Sequence, residues 1–338
     1  MPLLAGSLLE LPLGLTAGYG RRRHRFVLIG GLAFTASLVA VAAAPSFLVL
    51  LLAFTAFYPA SGAFVSLTQS ALMDADPSRQ QQRMAAWNLV GSCGDVIGPL
   101  LLAAVLALGG TWRAGYLVVA AVGALFVAAA ALTGPTRRAG TSESGSEPAD
   151  AGRRTTVRQA LDALRNGEAV RWLALLQITD LLGDVLTGFV GVYLVDVAHV
   201  SPASAALGVA VRLGAGLAGD ALFAVLAGRL SARTALRLSG LAAGLFYPAF
   251  LLVPAFPAKL ALLAVVSLAT ACWYPACQAG LYGSLPGRSG IAVFWSSAAG
   301  LAGAVGPVAV GLLAVRFGLA PALACLAVTP LLVATLAR

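Results

Sequence analysis

The chain has 338 residues, of which 59% are hydrophobic and only 10% are charged, with a formal net charge of +9 and a mean hydropathy of +0.90. A soluble domain carries about 25% charged residues, so the composition excludes a soluble globular protein. The charges are clustered between apolar stretches of about 20 residues, the length that crosses the hydrocarbon core of a bilayer. The apolar runs are continuous rather than alternating, which indicates an all-α polytopic membrane protein.

Eleven apolar segments are predicted to cross the membrane as helices. Polar connections separate them, and the longest connection follows the fifth segment. The predicted spans are 1–18, 26–44, 46–72, 84–108, 115–133, 171–197, 202–228, 238–256, 259–282, 290–314 and 319–336.

Basic residues are distributed unevenly among the connections. Alternate connections carry 18 and 3 Lys or Arg residues, and only Arg212 lies inside a span. Because basic connections remain in the cytoplasm, we expect an outside N-terminus and a cytoplasmic C-terminus in a bacterial inner (plasma) membrane. The same rule explains the positive charge by orientation in the lipid bilayer, without a nucleic-acid partner.

The connection 134–170 divides the chain into a half at 1–133 and a half at 171–338. Residues 134–152 are rich in Gly, Ser, Thr, Pro and Arg, which is typical of a flexible linker. Residues 155–166 place apolar side chains at helical spacing and predict a short amphipathic helix on the cytoplasmic surface.

An internal repeat relates the two halves. The sequence FYPAS at 57–61 recurs as WYPAC at 273–277, and the Gly-Pro pair at 98–99 recurs at 306–307. Parallel repeats of half a bundle are a known architecture of secondary transporters. The repeat therefore predicts two structurally similar halves.

The two repeats, the basic central connection and the Gly-Pro helices together resemble the major facilitator superfamily. The family's loop signature, G-x-x-x-D-R-x-G-R-R, retains Gly20, Arg21 and Arg22, but Gly18 or Ala17 stands where Asp is expected. The counterpart at 227–233 lacks this Asp as well. In the family this loop helps to latch the cytoplasmic side, so the resemblance implies a latch that is weakened or uses other residues.

A second signature of the family, G-x-x-x-G-P in its fifth helix, is intact at Gly94, Gly98 and Pro99, and the repeat places Gly306 and Pro307 in the same role. Such glycines permit close helix approach, and proline bends a helix. Matching the signatures makes 1–18 the family's second helix. We therefore expect that the first helix is missing through truncation or a misassigned start, rather than that eleven spans are genuine.

Ionisable residues inside spans are candidate functional groups, because a charge in the bilayer is unfavourable by several kcal/mol. The span 171–197 holds Gln177, Asp180, Asp184 and Thr187, spaced three, four and three residues apart and thus on one helical face. The family resemblance implies that this helix lines the central cavity. Two carboxylates one turn apart repel each other, so one is expected to bind a proton near neutral pH. Asp184 is the first candidate for proton coupling and Asp180 the second.

Arg212 has two interpretations. It can form a structural ion pair with Asp184, or it can hold an anion once Asp184 is protonated. Asp220 is expected to pair with loop arginines. Asp95 and Glu10 are further candidates for proton coupling.

Aromatic residues supply further candidates for the substrate cavity. The resemblance places Tyr58, Trp273 and Tyr274 in cavity-facing helices, where their rings could line an apolar substrate site; ordinary packing beside a proline is the alternative.

These features predict a proton-coupled secondary transporter that moves a small organic molecule, amphipathic or drug-like, by alternating access, in the direction of efflux. One alternative is an anion importer or exchanger that uses Arg212. The other is a membrane scaffold or receptor without transport, suggested by the missing Asp and the missing helix. The sequence has no nucleophile–base set, phosphate loop or metal-ligand spacing, so we expect no enzyme, cofactor or metal. A monomer is favoured.

Overall fold

The computed structural model of the chain describes residues 13, 15, 16, 20–134 and 158–337. The predicted first span is thus almost wholly outside the described residues, and so is Glu10. Within the described ranges every regular element is helical, as the continuous apolar runs predict. The helices are α1 (Gly20–Ala43), α2 (Phe47–Ala75), α3 (Gln80–Ala107), α4 (Trp112–Thr133), α5 (Gly167–Asp196), α6 (Pro202–Leu226), α7 (Ala232–Leu252), α8 (Phe256–Thr270), α9 (Trp273–Ser284), α10 (Ser289–Gly303), α11 (Val305–Phe317), α12 (Leu319–Ala324) and α13 (Val328–Leu336).

Ten helical segments among the described residues are long and apolar enough to cross a membrane, and they coincide with the ten predicted spans after the first. Seven of them correspond to α1 to α7, and the segment of α3 also includes the 3₁₀ turn Pro77–Arg79 that precedes it. The other three combine shorter helices: α8 with α9, α10 with α11, and α12 with α13.

Proline accounts for the interruptions in the composite spans. Proline has no backbone N–H and its ring clashes with the carbonyl four residues earlier, which disrupts the helix there. The break before α9 lies about four residues before Pro275, and the break at Ala304 lies three before Pro307. The 3₁₀ turn Cys325–Ala327 similarly precedes Pro330. Pro99, in contrast, lies within the uninterrupted helix α3.

One compact unit comprises the described parts of Met1–Ser78, Ile97–Gly167 and Tyr282–Leu301. Here α1 packs against α2 and α4. A Cβ atom on Gly30 would lie 2.7 Å from the Cβ of Ala63, so only glycine permits this approach of α1 to α2. Residues 158–163 form a short helix whose Ala160 carbonyl accepts a hydrogen bond of 2.8 Å from the indole Nε1 of Trp295.

The second compact unit comprises Arg79–Val96, Glu168–Leu281 and the described part of Ala302–Arg338. Helix α8 packs against α6 and α7, and α13 packs against α7. Gly240 permits the close approach of α7 to α13, because a Cβ there would lie 2.9 Å from the Pro330 carbonyl oxygen. Each unit thus includes segments from both sides of the connection 134–170, and the division into two repeated halves stays a prediction from the sequence.

Candidate functional site

A cavity of about 470 Å³ lies within the second unit, among α3, α5, α6 and the break between α8 and α9. Its wall collects five of the ionisable side chains that the sequence places inside spans. Four are acidic and one is basic: Asp95, Asp180, Asp184, Asp220 and Arg212. The cavity is therefore a polar chamber inside otherwise apolar helices, with more carboxyl groups than cations.

Helix α5 contributes Asp180 and Asp184, one turn apart as their spacing predicts. Asp184 is exposed to the cavity, and Asp180 is partly buried. Neither carboxylate receives a hydrogen bond or a salt bridge from the part of the chain that the structure describes. The positive charge of Arg212 nevertheless attracts the carboxylate of Asp184 through space. Both carboxyl groups are thus available to a proton or to a ligand.

Arg212 contacts the backbone of α5 rather than a carboxylate. Its Nη2 donates to the carbonyl oxygen of Gly183 at 2.8 Å and to the hydroxyl of Thr187. Its Nε is buried and has no hydrogen-bond partner among the described residues. The guanidinium therefore binds α5 on either side of Asp184, without the direct ion pair that was one interpretation of the sequence.

Asp220 of α6 makes contacts that the sequence analysis did not identify. The expected pairing with loop arginines is wrong: the carboxylate accepts hydrogen bonds from Asn88 Nδ2 at 2.7 Å and from Ser92 Oγ at 2.5 Å. Asn88, Ser92 and Asp95 are spaced four and three residues apart on α3, a polar face that helical periodicity could have indicated. The pairing of that face with α6 depends on tertiary packing.

Of the three aromatic residues predicted to line the substrate cavity, two lie at it and one does not. Trp273 and Tyr274 line it. The indole of Trp273 is buried and held by a hydrogen bond of 2.9 Å from Nε1 to Ser239 Oγ. Tyr58 belongs to the other unit, where its ring packs edge-on against Phe57 with centroids 5.6 Å apart.

Of the other polar residues predicted at the site, Thr187 and Asp95 line the cavity and Gln177 does not. Thr187 lines the cavity beside Asp184. Gln177, on the same helical face, does not belong to the described cavity wall; its side chain contacts α10 at Gly303. Asp95 is exposed and lines the cavity from α3. The described residues hold no group of three or more His, Cys, Asp or Glu side chains that could bind a metal ion.

The motif glycines differ in their surroundings. A Cβ on Gly94 or Gly98 would meet no described atom within 4 Å, so the expected close approach is not seen at either position. A Cβ on Gly306 would lie 2.6 Å from Leu181 Cδ1, so a larger residue there would displace the end of that leucine side chain. Gly20 begins α1, and the side chains of Arg21 and Arg22 are exposed.

A buried polar network next to the loop signature was missed in the sequence analysis. Arg23 Nη2 donates to Asp74 Oδ2 at 2.7 Å, Arg23 Nη1 donates to Ser70 Oγ at 3.2 Å, and Ser289 Oγ donates to the same Asp74 oxygen at 2.6 Å. Within the first unit, these bonds join the starts of α1 and α10 to the end of α2. The partners are separated by 51 and 215 residues, and no local pattern predicts them.

Ten apolar helical segments in the described part of the chain, together with the acidic cavity of the second unit, define a polytopic integral membrane protein of the transporter class. The chain belongs to the major facilitator superfamily, since the sequence model of that family matches residues 1–219. It is thus a transporter rather than an enzyme. A comparison of the sequence with curated proteins finds no match.

Solved structures share the fold. The E. coli fucose:proton symporter FucP has a TM-score of 0.80 and 14% identity, over 100% of this chain and 88% of that chain. The proton:xylose symporter XylE has a TM-score of 0.74 and 14% identity, over 99% of this chain and 83% of that chain. The human organic anion transporter TETRAN has a TM-score of 0.68 and 20% identity, over 99% and 83%. At these identities the likeness establishes the fold.

Proposed function

We propose that this protein is a proton-coupled secondary transporter that moves a small organic molecule through the acidic cavity by alternating access. Asp184 carries the coupling proton, and Asp180 modulates it. The observation that carries this proposal is that both carboxyl groups lie at the 470 Å³ cavity without a hydrogen bond or salt bridge from the described residues.

The energetics of charge in the membrane support this assignment. An ionised side chain inside a bilayer is unfavourable by several kcal/mol and is normally paired or placed at a water-filled cavity. Protonation removes the charge, so a carboxyl group without a fixed partner can change its state during the cycle. FucP and XylE, two proton symporters by name, share the fold and are consistent with such coupling.

The composition of the cavity wall supports an amphipathic cargo that is neutral or cationic. The four carboxyl groups repel anions, and the partly exposed ring of Tyr274 offers an apolar surface. We propose efflux as the direction, in a bacterial inner membrane, with a cytoplasmic C-terminus. This orientation is supported by the alternation of basic connections.

Anion exchange is a second candidate, because Arg212 has a buried Nε without a described hydrogen-bond partner. An anionic cargo could accept a hydrogen bond from this nitrogen. TETRAN, an organic anion transporter by name, shares the fold. The excess of carboxyl groups over cations in the same cavity makes this the less favoured candidate.

Proton flux in proteoliposomes tests the proposal. The full chain is reconstituted with an internal pH dye, and a pH gradient is combined in turn with ethidium as a cation, L-fucose as a neutral solute and benzoate as an anion. We expect ethidium-dependent proton flux in the wild type that is lost in Asp184→Asn. Asp196→Asn is the matched control, because Asp196 is exposed at the end of the same helix and outside the cavity wall.

The outcomes separate the candidates. Equal flux in the wild type and Asp184→Asn would remove Asp184 from the coupling mechanism. Benzoate transport that requires Arg212, without transport of ethidium, would support anion exchange instead. Transport of ethidium without proton movement would overturn proton coupling.

A further inference from the structure

Asp220 is a buried carboxylate that the proposed mechanism does not yet use. It lies on α6, two turns beyond Arg212, and only 6% of its surface is exposed. Its two carboxyl oxygens have different partners, Asn88 Nδ2 on Oδ1 and Ser92 Oγ on Oδ2. Both partners are neutral, and no cation among the described residues is bonded to this buried acid.

The two partners differ in their hydrogen-bonding chemistry. The amide nitrogen of Asn88 can only donate, whereas the hydroxyl of Ser92 can donate or accept by rotating its proton. An ionised Asp220 accepts from both groups. An Asp220 protonated on Oδ2 still accepts from Asn88 and now donates to Ser92 Oγ, whose own proton turns toward a carbonyl of the preceding helical turn. The same heavy-atom positions therefore suit both protonation states.

Other titratable and charged groups surround this site. They line the same cavity or adjoin it from α3, α5, α6 and the segment that follows α8: Asp95, Asp180, Asp184, Arg212, Cys272 and Tyr274. Three of these groups are carboxyls that repel a negative charge on Asp220, and Arg212 is the one cation among them. Because Asp220 lines the cavity, a proton can reach it by the same route as Asp184.

We propose that Asp220 is a second proton-binding site of the transport cycle, in which Ser92 changes from hydrogen-bond donor to acceptor as Oδ2 takes up a proton from the cavity. This inference rests on the proposed proton coupling and deepens it. The bond between α3 and α6 persists in both states, so protonation changes the charge of the cavity wall without releasing the two helices.

The substitution Asp220→Asn separates a proton site from a structural link. The amide oxygen of the new side chain accepts from Asn88 and its nitrogen donates to Ser92, so the link is kept in the arrangement of the protonated acid. We expect the carboxyl C=O stretching band in acid-minus-alkaline infrared difference spectra of the reconstituted full chain to lose one component in this variant. An unchanged band would overturn the proposal and leave Asp220 as a structural link.

Ser92 provides a second test if Asp220→Asn does not fold. Hydrogen bonds to a charged acceptor are stronger than those to a neutral one, so Ser92→Ala disfavours the ionised acid more than the protonated acid. We expect the midpoint of this band component to move to higher pH, by about one pH unit. Ser92→Thr keeps the hydroxyl and is expected to retain the wild-type midpoint, and identical midpoints in all three proteins would contradict the proposal.

Transport assays distinguish failure of this inference from failure of the proposed function. If ethidium-driven proton flux is abolished by Asp184→Asn while Asp220→Asn keeps both the flux and its pH profile, proton coupling stands and Asp220 has no part in it. If the wild type moves no protons with any cargo, coupling fails, and with it the place of Asp220 in the cycle. A flattened pH profile in Asp220→Asn is the expected result.

Discussion

The guanidinium of Arg23 and the carboxylate of Asp74 form a buried ion pair with 2.7 Å between Nη2 and Oδ2, and their side chains are 8% and 11% exposed. Ser289 donates to the same carboxylate oxygen from the start of α10. The sequence has no aspartate where the family's loop signature expects one, and Asp74 binds Arg23, the residue that follows Arg21 and Arg22 of the signature. The pair therefore joins the start of α1 to the end of α2, next to the loop signature.

Removing Asp74 is expected to destabilise the protein strongly. Asp74→Ala leaves the charge of Arg23 buried without its counter-ion, which reduces the free energy of unfolding by about 3–5 kcal/mol. Unfolding in mixed micelles, titrated with SDS and followed by helical circular dichroism, measures the change. The double variant Arg23→Met with Asp74→Leu removes both charges and is expected to recover most of the lost stability.

An exposed ion pair provides the control. Arg233 donates to Glu168, whose side chain is 45% exposed. Exposed pairs contribute about 0–1 kcal/mol, so Glu168→Ala is expected to change the unfolding free energy by no more than that. Similar losses in Asp74→Ala and Glu168→Ala would show that burial of the Arg23 pair has no special effect.

Lys259 holds the end of helix α7. Its ammonium group donates to the carbonyls of Phe250 and Leu251 at 2.7 and 3.3 Å and to the hydroxyl of Tyr193 at 2.9 Å, and the residue is only 3% exposed. The last carbonyls of a helix have no partner within the helix and attract cations. Lys259→Met keeps the aliphatic stem but leaves these acceptors unsatisfied, and it is expected to reduce stability by about 1–3 kcal/mol.

The matched control is Tyr193→Phe, which removes one hydroxyl and keeps the ammonium in place. The expected loss is smaller, about 1 kcal/mol. SDS titration of both variants against the wild type measures the difference. A Lys259→Met protein as stable as the wild type would mean that water satisfies the carbonyls of α7.

The sequence predicted the membrane spans well because their signal is local. Each span needs only a sufficient length of apolar residues, and ten segments in the described ranges match ten of the eleven predictions. The common face of Asp180, Asp184 and Thr187 was also predictable, since a helix fixes the relation between residues three and four apart. Gln177 shows the limit of this argument, because it shares the face but contacts Gly303.

Pairings between helices could not be predicted in this way. The bond from Asn88 to Asp220 joins residues 132 positions apart, and the bond from Ser289 to Asp74 joins residues 215 apart. Such contacts depend on which helices become neighbours and on their rotation. For the same reason, the sequence left open whether Arg212 pairs with Asp184, and the structure places its Nη2 on the Gly183 carbonyl instead.

The contact of α6 with α8 at Gly219 is expected to tolerate no larger residue. A Cβ at this position would lie 2.5 Å from the Leu268 carbonyl oxygen and 2.7 Å from the Ala271 Cβ, so α8 would have to move. Gly219→Ala is expected to lower stability by about 1–3 kcal/mol.

Gly214→Ala on the same helix is the control, because a Cβ there meets no described atom within 4 Å. It is expected to add up to about 1 kcal/mol through helix propensity, and equal effects of both substitutions in the SDS titration would refute the close contact.

Arg212 is expected to control the rate of proton transfer rather than the affinity for cargo. Its Nη2 binds the Gly183 carbonyl next to Asp184, and its charge acts on that carboxylate. Arg212→Gln removes the positive charge that favours ionised Asp184, so release of the proton becomes harder. We expect the maximal rate of ethidium-driven proton flux to fall about tenfold, equivalent to about 1.4 kcal/mol, with little change in the KM for ethidium.

Thr187→Val removes one acceptor of Arg212 but keeps the charge, and its rate is expected to stay within about twofold of the wild type. A raised KM at an unchanged maximal rate in Arg212→Gln would instead place the guanidinium in contact with the cargo and favour anion exchange.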